Sequence, residues 1–542
     1  MALRRNKPQM SNSSIRNLLL CAFFIAMIAA GMFLTSSLFV DNYVVPKWYA
    51  VAFCACGLMI TYVVFSFFTA APSVDAIIGA SFPIIAIACV LQAIYGILYF
   101  TNLYPCNGEK WHAGSFDNPA GFAASLSAGL PCLLYFLYDK KWWVRISVIV
   151  AMAIIAVAIC LSGSRSGIIS LMVVGLVMLL NRISAGSAGL KFVLLFLTVL
   201  ILGYVLCLFK KDSAKGRLLI WRCSWEMIKD EPLAGHGLGG FKARYMDYQA
   251  RYFERNPGDD AYGMLADNTV RPFNEYLLLL TNFGFTGLVL FLSVAWLIFK
   301  AYQQQGVRKP LYIPLLCLLS ISVFALFSYP LTYPFVWIMG LLSIILIVYH
   351  PVSSVRRTPI VMNVLKGLLV LLSIITCAGL YPRMRAEMEW REAANNSLAG
   401  KTAQMLPSYK KLYNHLSGNV LFLYNYAAEL NVAEQYGESL IIAKKCEQLW
   451  QNYHIQLLMA DNYKEMQRYR DAEIHYWKAS AMCPARFIPL YEIVQIYIAT
   501  NQPESKILNV ATKIIHKKVK IQSETVSMIK EQMHELIKAD VK

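Results

Sequence analysis

Charge is scarce in this chain, and the scarcity excludes a wholly soluble protein. Only 15% of the 542 residues are charged, against 57% hydrophobic, and the mean hydropathy is +0.48. No purely soluble fold of this length has that balance. Acidic residues are scarcer still. The chain holds 32 Asp and Glu against 50 Lys and Arg, a formal net charge of +18. In a soluble chain such an excess would point to nucleic acid. Here it lies beside apolar runs, where anionic headgroups and the positive-inside bias account for it, so no nucleic-acid partner is expected.

Metal-binding and nucleotide-binding patterns are also missing. Most of the thirteen cysteines, among them Cys21, Cys54, Cys56, Cys89, Cys160 and Cys207, fall inside apolar runs. There they act as small hydrophobes. Cys54-x-Cys56 has no His or Cys cluster beside it, so no metal is expected. Cys106, Cys446 and Cys483 fall in soluble stretches, and the sequence does not pair them. The glycine cluster Gly235-His236-Gly237-Leu238-Gly239-Gly240 lacks the Lys-Ser/Thr and the strand–turn–helix setting of a nucleotide loop. A cleavable leader is not expected either. Arg4, Arg5, Lys7 and Arg16 lead straight into Leu18–Val40, which reads as a first membrane helix.

Long apolar runs are what the chain has in quantity. About eleven membrane spans are expected, over 17–40, 47–68, 76–100, 118–138, 143–162, 166–181, 191–209, 274–299, 311–328, 333–349 and 360–381. Placing the N-terminus in the cytoplasm puts Lys140, Lys141, Arg145, Arg182, Lys191, Lys300, Arg308, Lys309, Arg356, Arg357 and Lys366 on that side. The opposite short loops carry only Lys47, Lys110 and Arg165. That asymmetry orients the chain. It assigns the hydrophilic stretch 210–275, and everything after 381, to the far side.

Beyond Tyr381 the composition becomes that of a soluble helical region. Ala460, Tyr463, Tyr469, Ala472, Tyr476, Ala479 and Pro484 fall at the small, aromatic and proline positions of a tetratricopeptide repeat of about 34 residues. Ala427, Tyr436 and Ala443 repeat the pattern loosely. The expected fold is all-α: a polytopic membrane helical bundle over 1–381, with a large loop at 210–275, followed by a tetratricopeptide-like α-solenoid over 382–542. Such a repeat region is a typical docking surface for a protein partner.

The chemistry-bearing residues gather around the loop. It carries eleven Lys/Arg against nine Asp/Glu before Glu275. Arg165, in Ser162-Gly163-Ser164-Arg165-Ser166-Gly167, lies at the outer end of two spans, where an arginine either contacts a phosphate or snorkels to headgroups. Arg217 and Arg222 are five residues apart, roughly 140° around a helix, so they need not share a face. They either grip a diphosphate in bidentate fashion or belong to a basic helix lying on headgroups. The glycines of 235–240 permit a tight turn with close backbone approach to a ligand. His236 is a candidate general base or a structural turn residue. Glu275 accepts a proton or pairs with an arginine. Asn118 and Asn274 are candidate substrate-binding residues; for Asn118, before Pro119, a helix cap is the alternative.

Taken in order, these residues resemble the O-antigen ligase and polymerase superfamily, which includes bacterial protein O-oligosaccharyltransferases. The matching pieces are Phe116-Asp117-Asn118-Pro119; Ser164-Arg165-Ser166-Gly167; Gly216-Arg217 with Trp221, Pro232, Gly235, Gly237 and Phe241; and Asn274-Glu275-Tyr276-Leu277 with Gly284, Gly287 and Leu288. The resemblance covers most of residues 100–300. It implies a bacterial inner-membrane glycosyltransferase that moves a glycan from an undecaprenyl-diphosphate carrier to a lipid A core or a protein hydroxyl on the periplasmic side, without cofactor. Arg165 and Arg217 would hold the diphosphate. Chain polymerisation is the alternative activity; a transporter of lipid-linked glycans and a non-catalytic envelope scaffold are the alternatives of other classes. One position departs from the pattern. Many ligases of this group carry histidine immediately before the Asn of the last motif, and here Phe273 stands there. His236, Glu275 or another acid then takes the part of the base, or weakly assisted attack suffices.

Overall fold

The computed structural model describes residues 11–101, 103, 113–138, 141–182, 193, 197, 211–304, 311–353 and 359–540. Among them no strand forms, and the fold is all-helical. In chain order, α1 (Asn12–Phe33), α2 (Val45–Phe65), α3 (Val74–Phe100), α4 (Pro119–Gly129), α5 (Trp142–Leu161) and α6 (Arg165–Arg182) come first. Next are α7 (Lys211–Asp230), α8 (Gly240–Arg255), α9 (Glu275–Gln304), α10 (Tyr312–Ala325), α11 (Pro334–Ser353) and α12 (Pro359–Asn396). The C-terminal helices are α13 (Thr402–Leu416), α14 (Val420–Val432), α15 (Tyr436–Leu449), α16 (Tyr453–Glu465), α17 (Tyr469–Met482), α18 (Ile488–Ala499), α19 (Glu504–His516) and α20 (Glu524–Asp540).

Among the described residues seven helices are long and apolar enough to cross a membrane: α1, α2, α3, α4 with its continuation to Leu137, α5, α9, and the run beginning at Ile360. Three further expected spans appear as shorter apolar helices, Arg165–Leu180, Tyr312–Ala325 and Pro334–Tyr349. The expected span 191–209 lies almost wholly outside the described residues.

Two compact units divide the chain, Met1–Leu206 with Leu292–Met388, and Cys207–Phe291 with Glu389–Lys542. In the first unit α4 is the central element. Its apolar window is 78% buried, against 22% for α5. Small residues make that position available, because they let neighbouring helices approach closely. A Cβ on Gly121 would lie 2.2 Å from the Tyr333 ring, and one on Gly129 would lie 2.4 Å from the Cys89 sulfur. Asn118 caps α4 and Pro119 occupies its first turn. Pro131 has no N–H to give, and past Gly129 the helix continues as a 3-10 segment, Leu130–Tyr138.

The second unit is built from the loop and the C-terminal helices. Leu219, Cys223 and Met227 of α7 and Phe241, Tyr245 and Met246 of α8 share one core with Tyr453, Ala479 and Met482 of α16 and α17. Polar ties reinforce it: Gln249 Nε2 donates to the Met482 carbonyl at 2.7 Å, and Lys478 meets Asp247 at 3.0 Å. The loop, grouped with the spans by its place in the sequence, therefore packs on the C-terminal region. From α14 to α20 each helix packs on the next in sequence. Ala427, Ala443, Ala460, Ala472 and Ala479 are all fully buried between them. Cys446 and Cys483 are buried there as free thiols.

Candidate functional site

The glycine cluster forms the turn between α7 and α8, and its close approach is to α9. Gly284 interrupts α9 with φ 61° and ψ −160°, a conformation open essentially to glycine alone. The break frees backbone groups, and the turn takes them up. Phe285 N–H donates to the Pro232 carbonyl at 2.8 Å and Thr286 N–H to the Leu233 carbonyl at 3.2 Å. In return, His236 N–H reaches the Thr281 carbonyl at 2.9 Å and Gly237 N–H the Asn282 carbonyl at 2.8 Å. Asn282 Oδ1 accepts from Phe241 N–H at 2.9 Å, at the start of α8. A Cβ on Gly235 would stand 2.5 Å from the backbone of Asn282 and Phe283. Asn282 is a residue that sequence reasoning missed; its signal was a polar side chain two positions before a glycine inside an apolar run.

His236 is half-buried in this clasp. Its Nε2 lies 2.9 Å from the Met227 carbonyl in the last turn of α7, which fixes Nε2 as the protonated nitrogen. Nδ1 is then the lone-pair atom, buried and without a hydrogen-bond partner among the described residues. The ring packs edge-on against Tyr248, 5.9 Å between centroids. Tyr248 donates to Asp230 at 2.7 Å, and burial together with that carboxylate pushes its phenol up to about 12.

Both arginines of α7 lie over aromatic rings, and the rings differ. The Arg217 guanidinium sits 5.2 Å from the centroid of Phe273. Arg222 sits 5.6 Å from Tyr252 and donates to its hydroxyl at 3.3 Å. Phe273 carries φ 55°, a left-handed backbone that is costly for a bulky side chain. Trp221 Nε1 holds the neighbouring Pro272 carbonyl at 2.9 Å. Asn274 follows, its Oδ1 accepting from Leu277 N–H at 3.0 Å as the cap of α9. Glu275 opens the first turn of α9, where a carboxylate suits the positive end of the helix. Arg217 is thus brought against the segment that delivers Asn274 and Glu275.

In the first unit, Arg165 is the first residue of α6, half-buried. Gly163, with φ 65°, turns the chain there, and Ser164 Oγ accepts from Gly167 N–H at 3.4 Å. Asn118 is occupied on both sides. Its Oδ1 takes Gly121 N–H at 2.9 Å; its Nδ2 lies 2.9 Å from Asp117 and 2.7 Å from the Tyr333 hydroxyl. Tyr333 also donates to Asp117 at 3.0 Å. Burial raises the Asp117 carboxyl above its ordinary range, against the lowering effect of the Tyr333 and Asn118 hydrogen bonds. Lys47 belongs to the same region. It is fully buried, its ammonium donating to the carbonyls of Leu34 at 2.6 Å and Ser115 at 2.8 Å. In the sequence it looked like a loop charge, and nothing marked the carbonyls that receive it.

A polytopic helical membrane protein with an arginine-bearing loop domain is the class these features define. Residues 150–292 match the family model described as O-antigen ligase, and over that stretch the chain is similar to a membrane ligase and glycosyltransferase-like family. The matched stretch holds Arg165, Arg217, Arg222, His236, Asn274 and Glu275; Asn118 lies before it. A search of curated proteins finds no match to the chain.

Proposed function

We propose that this protein is an inner-membrane enzyme that transfers a glycan from an undecaprenyl-diphosphate carrier to a hydroxyl acceptor on the periplasmic side. The observation that carries the reading is the O-antigen ligase match over 150–292, a stretch in which Arg217 stands against the segment bearing Asn274 and Glu275. Arg165 and Arg217 hold the donor diphosphate through paired N–H donors. The acceptor oxygen attacks the anomeric carbon. The bond from that carbon to the diphosphate oxygen breaks, and the diphosphate leaves with the electron pair, its charge balanced by the two guanidinium groups. The acceptor proton passes to Glu275 or to His236 Nδ1. Asn274 orders the start of α9, and Asn118 ties Asp117 to Tyr333; both serve the site by positioning. Residues 382–542 form a tetratricopeptide-like solenoid that holds the loop through α8 and presents the acceptor, a protein or lipid A core. The same reaction with a second lipid-linked glycan as acceptor would be polymerisation.

The test is glycan profiling of a deletion strain complemented with wild type, Arg165→Ala or Arg217→Ala. The proposal expects one surface or periplasmic glycoconjugate to vanish while lipid-linked donor accumulates, with neither variant restoring it. Full complementation by both variants would overturn the diphosphate assignment and favour a transporter or scaffold.

A further inference from the structure

The outward face of α7 and the turn after it form a continuous surface that nothing above uses. Lys215, Leu218, Arg222, Trp225 and Lys229 recur at spacings of three and four residues, so they fall within a stripe of about 80° along the helix. All five are exposed, with Leu218 at 52% and Trp225 at 50%. The opposite face, Leu219, Cys223 and Met227, is buried in the core of the second unit. Apolar and aromatic residues flanked by cations on one helix face match the chemistry of a bilayer interface. Past α7 the turn exposes two more leucines, Leu233 at 69% and Leu238 at 90%. Exposed leucines at a turn tip are costly in water.

Depth is set by α9. The apolar run of α9 ends at Phe299, before Lys300. From Phe299 back to Phe285 the helix rises about 22 Å at 1.5 Å per residue, so the break at Gly284 lies in the outer part of a hydrocarbon core of about 30 Å. Thr281–Thr286 is where the turn is clasped, through the backbone bonds of Pro232, Leu233, His236 and Gly237. Around the break α9 exposes Phe283, Phe285, Val289 and Leu290, so the clasped turn brings its exposed leucines beside an apolar part of the span.

We infer that α7 lies along the membrane interface and that the Leu233–Leu238 turn inserts into the outer edge of the acyl layer. Arg222 and Lys215 contact anionic phospholipid headgroups, and Lys229, paired with Glu226 at 2.9 Å, closes the stripe. The device is independent of the transfer chemistry proposed above. It fixes the loop at the depth of lipid phosphates, and it assigns Arg222 to the bilayer rather than to a donor.

The full chain, in nanodiscs of phosphatidylethanolamine and phosphatidylglycerol, tests this directly. One sample has Leu238 replaced by photoreactive benzoylphenylalanine. A second carries the same replacement at Leu421, which is 47% exposed on α14. After illumination, mass spectrometry identifies the adducts. The inference expects phospholipid adducts at position 238 and none above background at 421. Adducts at 238 only to protein segments, or lipid adducts no more abundant than at 421, would overturn it.

Discussion

Two lysines and two arginines show how differently this molecule handles cations. Lys47, in the first unit, is fully enclosed and gives its protons to two backbone carbonyls. Arg217 and Arg222, in the second, lie against the rings of Phe273 and Tyr252. A carbonyl pair consumes the donors of an ammonium and fixes structure. An aromatic face holds a guanidinium through its quadrupole, and Arg222 adds an N–H to the Tyr252 hydroxyl; Lys47 also has a ring near it, Phe116 at 5.1 Å, but is held by its carbonyls. The first arrangement is a staple; the second suits a cation that must meet an anion. Lys517 stands between them, half-buried, with its ammonium on the Arg486 carbonyl at 2.5 Å and 5.2 Å from the Phe487 ring centroid.

The contrast breaks most severely at Lys47. Lys47→Met leaves two buried carbonyls without a donor and should cost about 3–5 kcal/mol. Thermal unfolding in detergent should show a large drop; an unchanged midpoint would mean Lys47 is no staple. Gly284→Ala comes next. Its Cβ would sit 2.2 Å from the Leu233 carbonyl oxygen, on a backbone only glycine adopts, for a cost of about 2–3 kcal/mol. The same melt reads it, and little change would mean the clasp yields easily. Phe273→Leu removes the aromatic face and keeps apolar bulk on the same backbone. Donor binding should weaken by about 0.5–2 kcal/mol with turnover at saturation preserved. Phe273→Tyr should restore it, whereas an equal loss in both variants would point to packing alone.

Lys517 supplies an effect that shows only in the pH dependence of stability. Burial pulls its ammonium down to about 8, against about 10.4 in an unfolded chain. Between those values the unfolded state binds more protons, so stability rises with pH from about 8 to about 10, and below 8 the buried charge is a standing cost. Lys517→Met should flatten that rise in urea titrations run across the pH range. A slope identical to wild type would place the lysine in water.

Much of the fold could be read from the sequence because membrane spans are local. Apolar length alone marks α1, α2, α3, α5 and α9. Asp117-Asn118-Pro119 announced a helix start, and a cap is what Asn118 makes. The site was less legible, since its contacts are distant in sequence. Lys47 finds Ser115 across 68 residues, and Phe241 finds Asn282 across 41. No periodicity encodes either. The glycines at 235–240 were read as permitting close backbone approach to a ligand; the approach the structure shows is to the broken backbone of α9, which only Gly284 hinted at. Phe273 was visible as a departure from the ligase pattern. Its role as the ring beneath Arg217 depends on a left-handed backbone that sequence does not reveal.

Release of undecaprenyl diphosphate by the purified full chain in nanodiscs, given an undecaprenyl-diphosphate-linked glycan and an acceptor, tests the account most directly. Wild type should release it together with glycosylated acceptor. Arg217→Ala should bind donor weakly and turn over little, with Arg217→Lys only partly restoring it, because an ammonium lacks the bidentate fork. Turnover by Arg217→Ala equal to wild type would contradict the assignment of Arg217 to the diphosphate.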